Sequence, residues 1–234
     1  MENLNQLSTK YWTLPYLLLA TKLHGVDTDQ EKAEDFDSIE EYCIKMKMDA
    51  HRATNNVCQM ELYVILGNWE AAAGKLGTED IRSLVPGLMP SLRYTLLEPL
   101  ILLKQAQGES SLIRKRKLKK RAAKAIKILR GWAKKGNVNV VHYVHMAEAE
   151  LAIVNGKSQK AEESFKSAIA VASRNGFVQD RALSHELASQ YYASKVDDYW
   201  KNYHLDNAIR YYEEWGALVK VSQLKSRKIE QSSD

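Results

Sequence analysis

The stretch from Met146 to Ser173, MAEAELAIVNGKSQKAEESFKSAIAVAS, reads as two helices joined at Gly156. Small residues stand where the two helices must touch. Ala149 lies on the first helix, and Ala161 and Ala168 lie on the second with Phe165 between them. A small side chain lets two helix axes approach closely, and the aromatic fills the gap beside them. That pattern predicts a stacked helical hairpin, the unit of an interaction solenoid. It does not predict an active site.

The rest of the chain follows the same pattern. Strand signals are nearly absent: Asn175-Gly176 falls between two helical patterns, not between alternating apolar runs. A first helix is expected over Leu4–His24, bent or split at Pro15, followed by a polar, acidic loop over Gly25–Asp35. Ser38 and Glu41 have capping-box spacing, which predicts a helix start at Ser38. The helix over Ala50–Leu66 closes at Gly67-Asn68, and Trp69–Leu76 returns. Tyr63, Ala72 and Leu76 take the places of Ala152, Ala161 and Phe165, which suggests a repeat. Thr78–Pro90 reads as a connector, and Ser91–Gln107 as an apolar central helix kinked or split at Pro99. After the break at Gly108-Glu109-Ser110, a long basic helix is expected over Ser111–Lys135, with a turn at Gly136-Asn137. Val138–Asn155 pairs with Ser158–Asn175, and Asp180–Ser194 with Lys201–Trp215.

The expected fold is therefore all-α, a right-handed stack of antiparallel helix hairpins of tetratricopeptide-like type. One domain is expected over 1–226: N-terminal hairpins in 1–77, a connector with the central and basic helices in 78–135, and C-terminal hairpins in 136–226. Residues 227–234 read as a frayed polar tail. Ala149, Ala161, Ala168, Ala188 and Ala208 are the expected close contacts, with Phe165, Tyr191, Tyr212 and Trp215 filling between layers.

A chain of 234 residues can bury a core without a metal or disulfide staple. Cys43 and Cys58 have no metal or redox spacing and read as free thiols in a reducing compartment. The apolar segment Leu14–Ala20 is too short to span a bilayer and lacks a cleavage signal, so a cytoplasmic protein is expected.

Several blocks occur in a recognisable order: WAKKGNVNVVH (132–142), AEAELAIVNG (147–156), AIAVASRNGF (168–177), HELASQYY (185–192) and AIRYYEEWGA (208–217). With these gaps, and a basic helix before them, the chain resembles the tetratricopeptide-like helical region of large multidomain signalling proteins. In that family a serine/threonine-kinase-like domain and an AAA-class signal-transducing NTPase precede the helices. A GAF domain and a histidine kinase or cyclase follow them. The resemblance is good from about Leu88 to Leu224 and weaker before. It implies a scaffold or sensor arm linking a kinase or NTPase switch to an output domain. The family's catalytic residues lie outside these blocks, so none is carried over.

The residues themselves point the same way. Gly74-Lys75 is followed by Leu76, and no glycine precedes it at the spacing of a phosphate loop; GxGxxG and GxSxG are also missing. A non-catalytic protein without cofactor or small-molecule substrate is expected. His142, His145 and Glu148 recur at three-residue steps on one helix. Zinc sites more often pair i with i+4, so His142 and His145 are weak metal candidates, with packing the favoured role.

The strongest charge cluster runs over Arg114–Arg121, RKRKLKKR, in a chain whose formal net charge is +5. Leu118, Ala122, Ala125, Leu129 and Trp132 form one apolar stripe, which docks this helix and leaves its basic face wet. Arg114, Lys115, Arg116, Lys117, Lys120 and Arg121 are candidate partner-binding residues. A plain solvated face is favoured over RNA, anionic membrane, nuclear import or an acidic protein segment, and Glu109, Glu148 or Glu150 could meet the charges internally. Few aromatics interleave with the run, which gives base stacking little support.

Tyr191, Tyr192, Tyr199, Trp200, Tyr203, Tyr211, Tyr212 and Trp215 crowd the last hairpin, mostly at core spacing. Core is the favoured role, with Tyr199, Trp200 and Tyr203 the candidates for gripping a protein or peptide partner. Asp197-Asp198 reads as a helix cap.

Overall fold

The computed structural model describes residues 4–26, 35–77 and 80–231. The expected loop over Gly25–Asp35 lies mostly outside them, as do the first two residues of the connector and the last three of the tail. Every regular element among the described residues is helical, and none of these helices is long and apolar enough to cross a membrane. Two compact units are present, Met1–Leu97 and Glu98–Asp234.

In the first unit, α1 (Leu4–His24), α2 (Phe36–Lys45), α4 (Trp69–Gly74) and α5 (Ile81–Leu84) pack around α3 (Asp49–Leu66). Helix α3 is buried on most sides, through Val57, Cys58, Met60, Leu62, Val64 and Ile65. The α2 start differs from the sequence reading. Asp35 caps it, its carboxylate accepting from the Ser38 N–H at 2.8 Å, while the Ser38 hydroxyl oxygen accepts from the Asp35 N–H at 2.8 Å. Ser38 is thus the third residue of the helix and not its cap. Helix α4 ends at Gly74, two residues short of the expected Leu76.

Helix α6 (Met89–Gly108) runs through the boundary between the units. Pro99 does not split it, nor does Pro15 split α1. Losing one backbone bond costs about 3 kcal/mol. In α6 that loss is offset by the burial of Leu96, Leu97, Leu100, Ile101 and Leu103, each worth about 1.5–3 kcal/mol.

In the second unit, α7 (Leu112–Lys134) leads through a 3₁₀ turn at Val138–Val140 into α8 (Val141–Val154). Then follow α9 (Ser158–Arg174), α10 (Val178–Ser194), α11 (Asp198–Trp215) and α12 (Leu218–Gln231). Helices α8 and α9 form one hairpin and α10 and α11 the next, with α10 packed on α9 and α12 on α11. The expected close contacts Ala149, Ala161, Ala168, Ala188 and Ala208 are all fully buried. Phe165, Tyr191 and Tyr212 are buried as expected; Trp215 is only partly so. The sequence reading missed α12, placing a frayed tail where the helix continues to Gln231.

The turns of this unit recur at equal steps. Positive φ occurs at Gly136, Gly156, Gly176, Val196 and Gly216, each 20 residues after the last. At each, the following N–H bonds the carbonyl five residues back, as in Lys157 to Ala152 at 2.9 Å and Asp197 to Tyr192 at 3.1 Å. This closes the helix through a left-handed residue. A hairpin therefore occupies 40 residues, against about 34 in a tetratricopeptide repeat. A Cβ at the four glycines would meet open space, so backbone conformation and not room selects glycine there. Val196 is the exception, a β-branched residue at φ 58°.

Candidate functional site

Helices α6, α8, α10 and α12 carry a chain of polar groups in which Glu150, Glu186 and Lys220 are buried. Lys104 on α6 pairs with Glu150 on α8 at 3.0 Å, and Gln107 donates to the same carboxylate at 2.6 Å. Lys104 also donates to Gln190 on α10 at 3.2 Å, and Gln190 to Glu186 at 3.3 Å. Glu186 then takes Lys220 of α12 at 2.6 Å and the Tyr212 hydroxyl at 2.8 Å. Burial lowers the Lys220 pKa, and Glu186 opposes that shift. Buried charges persist when each is paired and hydrogen-bonded, and such a network fixes register more than it adds stability. Glu150, named from sequence as a possible partner of the basic helix, is used here instead.

The other side of the α8–α11 stack holds a groove of about 590 Å³. Helix α9 supplies Glu162, Phe165 and Lys166 as one wall, α11 supplies Trp200, Tyr203 and His204 as the other, and α10 contributes Arg181, His185 and Tyr192. Asp197 starts the α11 wall by accepting from the Trp200 N–H at 3.2 Å, the cap expected from sequence. Leu205, Ala208, Ile209 and Tyr212 turn inward, which leaves Tyr199, Trp200 and Tyr203 on the outer side of the helix. These three are 73%, 42% and 48% exposed. The sequence reading favoured core for the whole aromatic crowd; for these three the structure gives surface, because the close alanine seam takes the inward positions. Trp200 meets Tyr199 and Tyr203 edge-on at 5.3 and 5.4 Å, and Tyr192 lies parallel to His204 at 5.5 Å.

Beneath these rings His185 and His204 meet, Nδ1 to Nδ1 at 3.0 Å. Such a contact needs one ring to donate and the other to accept, so one imidazole carries its proton on Nδ1 and the other on Nε2. Burial, then His204, Arg181 and Arg210, push the His185 pKa down to about 3; burial pushes His204 down to about 4. Arg181 lies over the Tyr211 ring at 3.8 Å, and that ring stacks on His185 at 5.6 Å. The nearby serines are occupied by backbone: Ser184 donates to the Asp180 carbonyl and Ser189 to the Lys201 carbonyl. The site offers aromatic faces, neutral imidazoles and a guanidinium, which is chemistry for holding a ligand.

The remaining sequence candidates lie elsewhere. His142 is fully buried, with Nε2 at 2.9 Å from Asp180 and its ring stacked on Phe177. His145 is half-buried, and burial lowers its pKa against the pull of Glu148. Among the described residues no cluster of three or more His, Cys, Asp or Glu is placed to hold a metal ion. On α7, Arg121 pairs with Glu98 at 2.8 Å and Arg130 with Glu148 at 2.7 Å, whereas the Glu109 carboxylate accepts from the Ser111 N–H. Arg114, Lys115, Arg116, Lys117 and Lys120 belong to a surface separate from the aromatic groove.

Sequence reasoning missed the His185–His204 pair and Arg181. His185 lies on α10 and His204 on α11, on either side of the turn at Val196, but at unequal distances from it, so local spacing does not signal the pair. No family model matches this chain, and neither the curated proteins nor the solved structures contain a match to it.

Proposed function

We propose that this chain is a non-catalytic protein-interaction module, a tetratricopeptide-like scaffold whose α9–α11 groove holds a peptide segment of a partner. The observation that carries the reading is the groove wall, where Trp200 and Tyr203 stand in water beside a hollow of about 590 Å³. Tryptophan and tyrosine dominate binding hot spots because they bury large area with little loss of side-chain freedom. The rigid alanine seam under the wall keeps the rings in place before a partner arrives, which lowers the ordering cost of binding. The resemblance to the helical region of multidomain signalling proteins supports a role as a sensor arm in signal transduction. Its partners would then be kinase, NTPase or output domains.

Peptides selected from a random display library on the immobilised chain test this. Trp200→Ala and Tyr203→Ala are expected to weaken a selected peptide at least tenfold, with helical content unchanged by circular dichroism. Peptides that bind both variants as tightly as the parent would remove the groove as the site. Failure to select any peptide would count against the module itself.

A further inference from the structure

We propose that α7 is a membrane-docking element, with its wet cationic face seated on an anionic lipid surface and Leu112 and Ile113 entering the edge of the hydrocarbon. Leu112–Lys134 holds eleven lysines and arginines and no carboxylate. The described acids meet only Arg121 and Arg130. Arg114, Lys115, Arg116, Lys117, Lys119, Lys120, Lys124 and Lys127 form no ion pair with a described residue. Like charges at this density repel along the helix, and among the described residues only the ion pairs of Arg121 and Arg130 relieve them.

The docked part of the helix lies further on, at Ala122, Ala125, Ile126 and Leu129. Residues 112–121 bury no side chain, and a hollow of about 540 Å³ separates the first turns from the end of α6. On this free segment Leu112 and Ile113 are 71% and 68% exposed. At 3.6 residues per turn they do not continue the buried stripe. They fall on the side of Arg116, Lys120 and Lys127, the face turned to solvent. Cations flanking exposed aliphatic side chains are what an anionic interface recognises. The charges meet headgroups, the alkyl groups leave water, and the long lysine stems follow them. RNA would use the charges but not the aliphatic pair, which has no π-face for a base. The one aromatic on α7 is Trp132, at the far end.

The test uses the full chain with vesicles of phosphatidylcholine and phosphatidylserine at 3:1, pure phosphatidylcholine vesicles and an RNA homopolymer. Ile113→Cys carries an environment-sensitive fluorophore; both native cysteines are buried, which directs labelling to the new site. Binding to the anionic vesicles is expected at 50 mM salt and to weaken at least about tenfold at 300 mM, with little binding to the neutral ones. The probe should shift to the blue on binding. Leu112→Ser with Ile113→Ser should weaken binding about tenfold and keep the salt dependence; Lys117→Glu with Lys120→Glu should weaken it as much and flatten that dependence. The proposal is overturned by no binding to anionic vesicles at 50 mM salt, or by binding with the probe still in water. It is equally overturned if RNA displaces the vesicles while the serine variant binds RNA like the parent. All four substituted positions are on the surface, and unchanged helicity verifies the fold.

Discussion

Acid should destabilise this protein through the His185–His204 contact. Both rings are buried and neutral, with folded pKa values lowered to about 3 and about 4. The charges facing the pair add to the effect: Arg181 from α10 and Arg210 from α11 are cations, while Tyr192, Tyr203 and Tyr211 present neutral rings. An unfolded histidine titrates near 6.5. Above that value neither state binds a proton, and the contribution of the pair is fully present. Below it the unfolded chain takes up protons that the folded chain refuses, so stability falls as pH falls, from about 6.5 to the folded values. pH 5 lies about 1.5 units below the unfolded pKa and above both folded values, which gives a loss of about 2 kcal/mol per ring, or about 4 kcal/mol for the pair. Urea denaturation at pH 7.5 and pH 5.0 measures this, compared with His185→Gln combined with His204→Gln, which carries every other titrating group in common. The parent should lose about 4 kcal/mol more than the double variant over that interval. Nuclear magnetic resonance gives a second readout if the variant is too weak to fold: the two ring Cε1–H signals should stay flat down to pH 5. Equal losses in parent and variant, or ring signals titrating near pH 6.5, would refute the buried neutral pair.

Val196→Gly should raise stability by about 0.5–1 kcal/mol, since a left-handed residue with a side chain costs about 1–2 kcal/mol and glycine returns part of that as chain entropy. A thermal melt no higher than the parent's would count against the strain. Lys220→Met strands the Glu186 carboxylate in the core and should cost about 3–5 kcal/mol; replacing Glu186 as well with Leu should recover much of it, measured as a double-mutant cycle in urea. Ala161→Leu overpacks the α8–α9 seam and should cost about 1–3 kcal/mol, and an unchanged melting temperature would refute that register.

The helices were legible because apolar periodicity reports burial directly, and the five alanines expected at close contacts are all fully buried. Where periodicity is diluted, the reading failed. Among its described side chains helix α12 buries Lys220, Val221 and Leu224 alone, in a run rich in cations, so its pattern resembles a solvated tail. Lys220 itself is inward because Glu186 waits for it on another helix, a fact no local window contains. The early start of α2 was hidden in the same way. Asp35 sits at the end of an acidic stretch that reads as loop, and only the reciprocal bond with Ser38 marks it as the cap.

The groove was half legible for a different reason. Sequence spacing tells which residues share a helix face, but not whether that face meets another helix or water. Tyr199, Trp200 and Tyr203 have the same one- and three-residue steps as Tyr211, Tyr212 and Trp215, of which Tyr211 and Tyr212 are buried. What separates them is the partner at each position. Ala208 and Ala188 bring α10 and α11 so close that only one side of α11 fits inward, and any aromatic beyond it is pushed out. The small residues that made the fold readable therefore also decide which large ones are left for binding. By the same geometry a larger residue at Ala208 would loosen the Trp200 wall together with the core.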